Sequence, residues 1–287
     1  MTRAGDAPLL VGVAREPVYS PGKLEADRAI LEATAAACEA RGARVRLLPP
    51  DAPLGAFAGA ALVFAMCQGP AALGALRDLE AAGLPLVHRA DAIEACHRTR
   101  LLPRLAAAGV ARPEARAVET QAPAASALTW AAARRGGVWV KRGDVHATAP
   151  DDVVHARDGA TAAAALVRLA ARGVSRAVLE AHVEGRTLKF YGVRRTDFFR
   201  VFEADGCEAA APPAWRSLAD RAAAALGLEV YGGDLVVDAR GRAAVVDLND
   251  WPSFGRCREE AAAAIAQRLL TRLSRGGGGE EELHHAR

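Results

Sequence analysis

Four short apolar runs in the first ninety residues alternate with two stretches whose apolar positions recur at helical spacing. The runs are LLVGVA at 9–14, then 43–48, ALVFAM at 61–66, and 84–88. The helical stretches cover 24–41 and about 71–82, and they stop at Gly42 and Gly83. Glycine commonly follows a helix end because it accepts the left-handed backbone that closes the last turn. Strands separated by helices pair through crossover connections, so residues 1–92 are expected to form a parallel, Rossmann-like α/β sheet. In open sheets of this kind ligands sit beyond the carboxyl ends of the strands. Two loops qualify, 15–23 (REPVYSPGK) and 67–70 (CQGP), the second containing Gln68. The first has no GxGxxG, so a nicotinamide cofactor is not supported. It offers Arg15, Ser20 and Lys23 to an acidic substrate at a helix start, where backbone N–H groups attract anions. A plain Ser-Pro cap with a solvated lysine accounts for the same residues.

Beyond residue 90 the order changes. A helix is expected over 91–109, then a Pro- and Ala-rich, strand-poor connector to about 128. A strand at 138–141, a polar loop at 142–152, a helix near 159–172 and a strand at 177–183 follow. From 188 the strands succeed one another as in an antiparallel α+β unit: 188–193, 198–203, 233–238 and 243–249. One helix near 215–226 lies between them and another at 257–274 ends the pattern. The chain therefore divides as 1–92, 93–180, 181–275 and a Gly-rich, acidic tail over 276–287 that is expected to be disordered. His284 and His285 in that tail have no other ligand residues beside them, which argues against a metal role.

Composition narrows the function classes. Lys+Arg total 37 against 34 Asp+Glu, a net charge of +3, and no basic block is interleaved with aromatics. Nucleic acid is therefore not an expected partner. No apolar stretch reaches the ~18 residues of a membrane span, and the N-terminal apolar run is too short for a signal peptide. The five cysteines contain no CxxC pair, so neither a disulfide frame nor a zinc site is indicated, and a cytoplasmic location is expected. Ala-rich helices are compatible with a homodimer without showing one.

The most informative stretch is YGGDLVVDARGRAAVVDLNDWPSF, residues 231–254. Two apolar runs flank Arg240 and Gly241, a hairpin signal. With those two residues as the loop, Asp234 lies directly opposite Asp247, and period-2 alternation adds Asn249 to the same face. A bulge at Gly241 would shift this pairing by one residue. Facing carboxylates with Cβ atoms ~4.5–5.5 Å apart repel unless a cation lies between them. Two carboxylates and an amide oxygen form an all-oxygen set suited to Mg²⁺, while two solvated aspartates on an open hairpin are the plainer reading. Asp238 is the rival first ligand, beside the turn and more simply a turn residue.

At this hairpin the chain resembles the ATP-grasp superfamily, whose C-terminal signature is an acidic residue followed about a dozen residues later by [Asp/Glu]-x-Asn-x-x-Pro. Here that is Asp234, then Asp247 to Pro252. The resemblance implies that Asp234, Asp247 and Asn249 hold one or two Mg²⁺, with Mn²⁺ as a substitute, on the phosphates of ATP. Other motifs fall in the family's order. CHRTRLLPRLAAAGVARP resembles the helix before the central domain, with Arg98 where the family usually has a nucleotide lysine; a planar guanidinium is not equivalent to an ammonium. VWVKRG resembles the strand of the second nucleotide lysine, Lys141. AVLEAHVEG resembles the adenine-binding hinge around Glu180, Ala181, His182 and Val183. LKFYGV resembles the strand with a phosphate-side basic residue, Lys189. Three departures stand out: the loop after Lys141 has one glycine, Thr187 occupies the position of a ribose-binding glutamate for which Glu184 could substitute, and Ser253 replaces a glycine.

The resemblance spans about 90–270 and implies an ATP-grasp fold in which 93–180 is a lid and 181–275 carries the metal site. It implies an ATP- and Mg²⁺-dependent ligase: a substrate carboxylate is activated as an acyl phosphate, an amine or thiol displaces phosphate, and ADP is released. Such transfer needs positioning and charge neutralisation above all. Lys189 and Arg200 are the candidate catalytic cations, Arg200 being equally explained as a solvated strand residue. The spelling Asp-x-Asn is also similar to the inositol-phosphate kinases of the superfamily, which phosphorylate a hydroxyl and would use His146 as a phosphate contact. A non-catalytic ATP-binding protein is the third reading. Trp251 and Phe254 are expected to pack rather than to touch substrate.

Overall fold

The computed structural model describes residues 7–145 and 148–276, folded around three four-stranded sheets. His146, His284, His285 and the tail beyond Gly276 lie outside the described residues. The first sheet contains β1 (Leu9–Val13), β2 (Arg44–Leu48), β3 (Ala60–Ala65) and β4 (Leu86–Val87), all parallel in the order β2-β1-β3-β4. Helices cover both faces, which is why its central strands read as unbroken apolar runs. On one face Leu10, Leu62 and Phe64 share a core with Ile30 and Leu31 of α1 (Leu24–Glu39). On the other, Val11, Val63 and Ala65 pack with Leu73 and Leu76 of α2 (Pro70–Ala81). The C-terminal helix α8 (Arg258–Gly276) returns to this sheet and lays Ala261, Ile265 and Leu269 into the same core as α1.

The helix expected over 91–109 is two: α3 (Ala90–Ala95) and α4 (Arg98–Ala107), separated where His97 takes an extended backbone, φ −62° and ψ 128°. The second sheet is antiparallel, in the order β5-β8-β6-β7. It comprises β5 (Ala115–Glu119), β6 (Val138–Arg142), β7 (Val153–Ala156) and β8 (Arg176–Ala181). The connector to 128 thus contains a strand, β5, and the helix α5 (Ala125–Ala132), and β7 follows directly on the polar loop. Helices α5 and α6 (Gly159–Ala171) cover one face, where Trp130, Leu166 and Leu169 meet Val138, Val140 and Leu179. Alternation turns Trp139, Lys141 and Glu180 to the other face.

The third sheet is antiparallel too, β10-β9-β11-β12, built from β9 (Arg186–Val193), β10 (Phe199–Phe202), β11 (Val230–Val237) and β12 (Ala243–Asp250). Leu188, Phe190, Leu235 and Leu248 bury one face against α4 and α7 (Pro213–Leu226), through Leu101, Leu105, Leu218 and Ala222. The period of two leaves Lys189, Tyr191, Asp234, Asp247 and Asn249 together on the opposite face. Among the described residues no helix is long and apolar enough to cross a membrane, and all five cysteines are free.

Candidate active site

Asp234 is paired directly with Asp247 across β11 and β12, and with Lys189 of β9 on its other side. The hairpin reaches this register by an unexpected route. Its loop has three residues, with Gly241 at φ 78° and the Asp238 amide donating to the Arg242 carbonyl at 3.0 Å. Near the loop the pairs are Val237 with Ala243 and Leu235 with Val245, one residue out of step with Asp234 and Asp247. A bulge at Val246 absorbs the difference. The bulged residue also serves the site, since its carbonyl accepts a hydrogen bond from Lys141 Nζ at 3.0 Å.

Two carboxylates about 5 Å apart repel by roughly 3 kcal/mol at an effective dielectric of ~20. Each therefore carries a cation here. Arg98 Nη2 donates to Asp247 Oδ2 at 2.7 Å, and Lys189 Nζ to Asp234 Oδ1 at 2.7 Å. Desolvation disfavours the Lys189 ammonium, yet the Asp234 contact outweighs it and raises the Lys189 pKa. Lys141 makes the third pair, to Glu180 Oε1 at 2.6 Å. Burial pushes the Glu180 carboxyl upward, and the opposing pull of Lys141 does not cancel it. The set Asp234, Asp247 and Asn249 offers only hard oxygen donors, which fits Mg²⁺ rather than a thiolate- or imidazole-seeking metal. The Arg98 Nε is buried and has no hydrogen-bond partner among the described residues.

Two cavities meet at this pair. One, of about 360 Å³, lies between the second sheet and the hairpin, lined by Trp139, Lys141, Glu180, His182, Val236 and Val246 among others. The other, of about 270 Å³, is more polar and lies between the hairpin and the first sheet's loops, with Lys23, Gln68, Lys189, Tyr191, Asn249 and Asp250 in its wall. Arg98, Asp234 and Asp247 border both.

The residues expected at the site do not all converge. Ala181, His182, Val183 and Thr187 line the first cavity, whereas Glu184 is not in its wall and its side chain is 94% exposed. Arg200 lines neither cavity: its guanidinium pairs with Glu260 at 2.7 Å and Glu208 at 3.3 Å and lies over the Phe198 ring. Arg15 and Ser20 border the polar cavity, but their hydrogen bonds are spent inside the protein. Arg15 donates to the carbonyls of Met66 and Trp251 at 3.0 and 2.9 Å and to Asp27, and Ser20 donates to Asp27 at 2.6 Å. These bonds brace the first sheet against the hairpin. Gln68 does the same through Asp250, at 2.9 Å. Glu16 caps the start of α2, accepting from the amides of Gln68 and Gly69 at 3.0 and 2.9 Å, so a carboxylate of the chain itself takes that anion position. Lys23 lines the cavity at the start of α1. Trp251 and Phe254 are fully buried, Trp251 stacking on Phe64 with ring centroids 5.7 Å apart.

Asp250, Trp139 and Tyr191 were not singled out by sequence reasoning. Trp139 and Tyr191 each stand two residues from an expected lysine, Lys141 and Lys189, and strand alternation alone places them on the lysine's face. Gly232, opposite both Asn249 and Tyr191, keeps the cavity floor bare. A Cβ there would come within 2.7 Å of Pro252 Cγ and 2.9 Å of Tyr191 Cδ1. Gly232→Ala is accordingly expected to lower stability by roughly 1–3 kcal/mol, as overpacking does. An unchanged thermal midpoint would show that Pro252 and Tyr191 yield freely.

No family model matches the chain, and no curated protein matches it. Solved structures do. A RimK domain ATP-grasp protein from Sphaerobacter thermophilus DSM 20745 superposes with a TM-score of 0.68 at 20% identity, over 91% of this chain and 99% of that one. The D-cycloserine synthetase DcsG gives 0.67 at 20% identity, over 91% and 99%. The D-alanine–D-alanine ligase from Bacillus anthracis, solved with ATP, gives 0.71 at 11% identity, over 94% and 98%. These likenesses extend over nearly the whole chain. The chain has the ATP-grasp fold.

Proposed function

We propose that the protein is an ATP- and Mg²⁺-dependent ligase that activates a substrate carboxylate as an acyl phosphate for attack by an amine, releasing ADP and phosphate. The observation that carries the reading is the facing pair Asp234 and Asp247 at the junction of two cavities, ringed by Arg98, Lys141 and Lys189. The cavity between sheets suits a nucleotide. Its wall mixes apolar side chains with residues 181–183 at the end of β8, and Lys141 reaches from the lid to the hairpin. The polar cavity suits the co-substrates, because its wall is mostly charged or hydrogen-bonding and holds no large aliphatic side chain. A Mg²⁺ on Asp234, Asp247 and Asn249 would neutralise polyphosphate charge. Lys141, Arg98 and Lys189 would orient the phosphates from three sides, Lys189 on the side of the polar cavity. The ligase activities named for DcsG and the D-alanine–D-alanine ligase add support from the same fold.

The test is a panel of small carboxylic acids incubated with the protein, Mg-ATP and hydroxylamine, followed by ³¹P NMR and hydroxamate detection. Equal amounts of ADP, inorganic phosphate and hydroxamate, dependent on one acid, are expected. A new phosphoester signal with ADP would move the assignment to a kinase acting on a hydroxyl. AMP with pyrophosphate would overturn both.

A further inference from the structure

At the first-sheet end of the polar cavity, the donors on the loop after β1 divide into two sets. Arg15 and Ser20 are committed to Asp27 and to two carbonyls, and Gln68 beside them is committed to Asp250. Both of those carboxylates are buried. Tyr19 and Lys23 line the same cavity, yet neither the phenol nor the ammonium makes a hydrogen bond or an ion pair among the described residues. Their loop is nevertheless braced. Pro17–Tyr19 forms a single 3₁₀ turn, the Lys23 amide closes the next turn on the Ser20 carbonyl at 3.1 Å, and Gly22 lies between at φ 70°. Ser20, midway, is tied to Asp27 at 2.6 Å. The Tyr19 ring lies against the start of α2, where a Cβ on Gly69 would come within 3.2 Å of its Cε2.

These two side chains specify a chemistry. An ammonium offers three donors and no acceptor, and a phenol donates beside it. Together they suit an anionic oxygen, and one carboxylate can accept from both. The other end of the cavity, at Asp234 and Asp247, borders the nucleotide cavity, so the carboxylate that is to be activated belongs there. We infer that the acid this protein takes is a dicarboxylate, with one carboxylate facing the nucleotide and the second held by Lys23 and Tyr19. A monocarboxylate of equal length would set an apolar terminus against the Lys23 ammonium, and that mismatch is the discrimination. The inference rests on the ligase reading for which carboxylate reacts; the grip of the loop on the second one is read by binding alone.

Succinate, glutarate and adipate, each titrated calorimetrically into the full-length protein beside the monocarboxylate of equal carbon number, test it. One diacid is expected to bind about tenfold more tightly than its matched monoacid. Lys23→Met keeps the stem and removes the charge. It should cancel most of that preference with an unchanged thermal midpoint, because Lys23 is exposed. Lys23→Glu should instead favour the ω-amino acid of the same length, an inversion that a merely structural role of the loop would not produce. Tyr19→Phe should lose a smaller part of the preference. Incubating the bound diacid with Mg-ATP and hydroxylamine reads the ligase assignment separately. Binding through Lys23 without hydroxamate would support the diacid site and count against the ligase reading alone. No diacid binding, equal binding of diacids and monoacids by the wild type, or a preference that survives both Lys23 substitutions overturns the inference.

Discussion

Asp247→Asn should reduce turnover by about 10³-fold, the scale on which losing one preorganised electrostatic contact at the reacting group is felt. The substitution keeps one oxygen and the side-chain shape while removing the charge. Three cations, Arg98, Lys141 and Lys189, then face one aspartate of the pair and Glu180, whose carboxyl burial pushes upward. A divalent cation loses one of two anionic ligands, so its affinity should fall with the rate. The fold should persist at some cost in stability, because Arg98 is almost fully buried and its 2.7 Å partner loses its charge. Breaking a buried pair from one side is costly when the remaining charge is stranded; here the amide oxygen still accepts from Nη2, and a fall of several degrees in the thermal midpoint is expected. Asp238→Asn is the matched control. Asp238 caps the hairpin loop, accepting from the amides of Arg240 and Arg242 at 2.9 Å, and touches neither cavity. It should keep near-normal turnover. Full Mg²⁺-dependent activity in Asp247→Asn would show that the carboxylate pair is not the metal site.

The same hairpin shows how far the sequence could be read. Counting from a two-residue loop puts Asp234 opposite Asp247, and the two do pair, but through two compensating irregularities. The loop takes in Ala239 as a third residue, with Gly241 in the left-handed region, and the register moves by one; the bulge at Val246 displaces it back. Glycine at 241 is a visible warning of the first. Nothing in AAVVDLN announces the second, at which the Val246 carbonyl accepts from Lys141 across the cleft. The break between α3 and α4 was hidden for a similar reason. Neither glycine nor proline marks His97, yet extended backbone there lets α4 begin at Arg98 beside Asp247. For Arg15 and Ser20, sequence reveals which donors the loop carries but not that the fold also engages them: both border the polar cavity while bonding inside the protein. Their acceptors, Asp27, Met66 and Trp251, come from three separate parts of the chain. The overall fold was more legible, since strand–helix alternation in one half and successive strands in the other require only local patterns.

Stability should fall by about 3 kcal/mol as the pH drops from about 6.5 to about 4, with His88 as the largest single cause. His88 is 1% exposed, and its Nε2 accepts from the amides of Glu229 and Val230 at 3.0 and 2.9 Å. It thereby ties the end of the first sheet to the start of β11, the strand that carries Asp234. A nitrogen that accepts two N–H groups cannot also hold a proton, and burial, outweighing the attraction of Asp250 and Glu229, lowers the His88 pKa to about 4. In the unfolded chain the ordinary value near 6.5 applies. Between those values the unfolded state binds more protons than the folded one, so stability rises with pH across the window and is fully present above it. The separation of about 2.5 pH units corresponds to roughly 3 kcal/mol at 1.36 kcal/mol per unit. Below about pH 4 this contribution has gone and no further loss comes from His88. Other groups fall outside the window or oppose it. Asp152, Asp158 and Asp238 have pKa values held below the ordinary carboxylate value, so their contributions are lost at lower pH. Glu180, pushed upward, favours the folded state as the pH falls through the region above its ordinary value. Urea denaturation of the wild type and His88→Gln at pH 7.5, 6.0, 5.0 and 4.5 separates them. The variant should be less stable at pH 7.5, because two buried amides lose their shared imidazole, and the difference between the proteins should shrink steadily toward pH 4.5. A difference that stays constant across the series would mean that His88 is not the group being protonated.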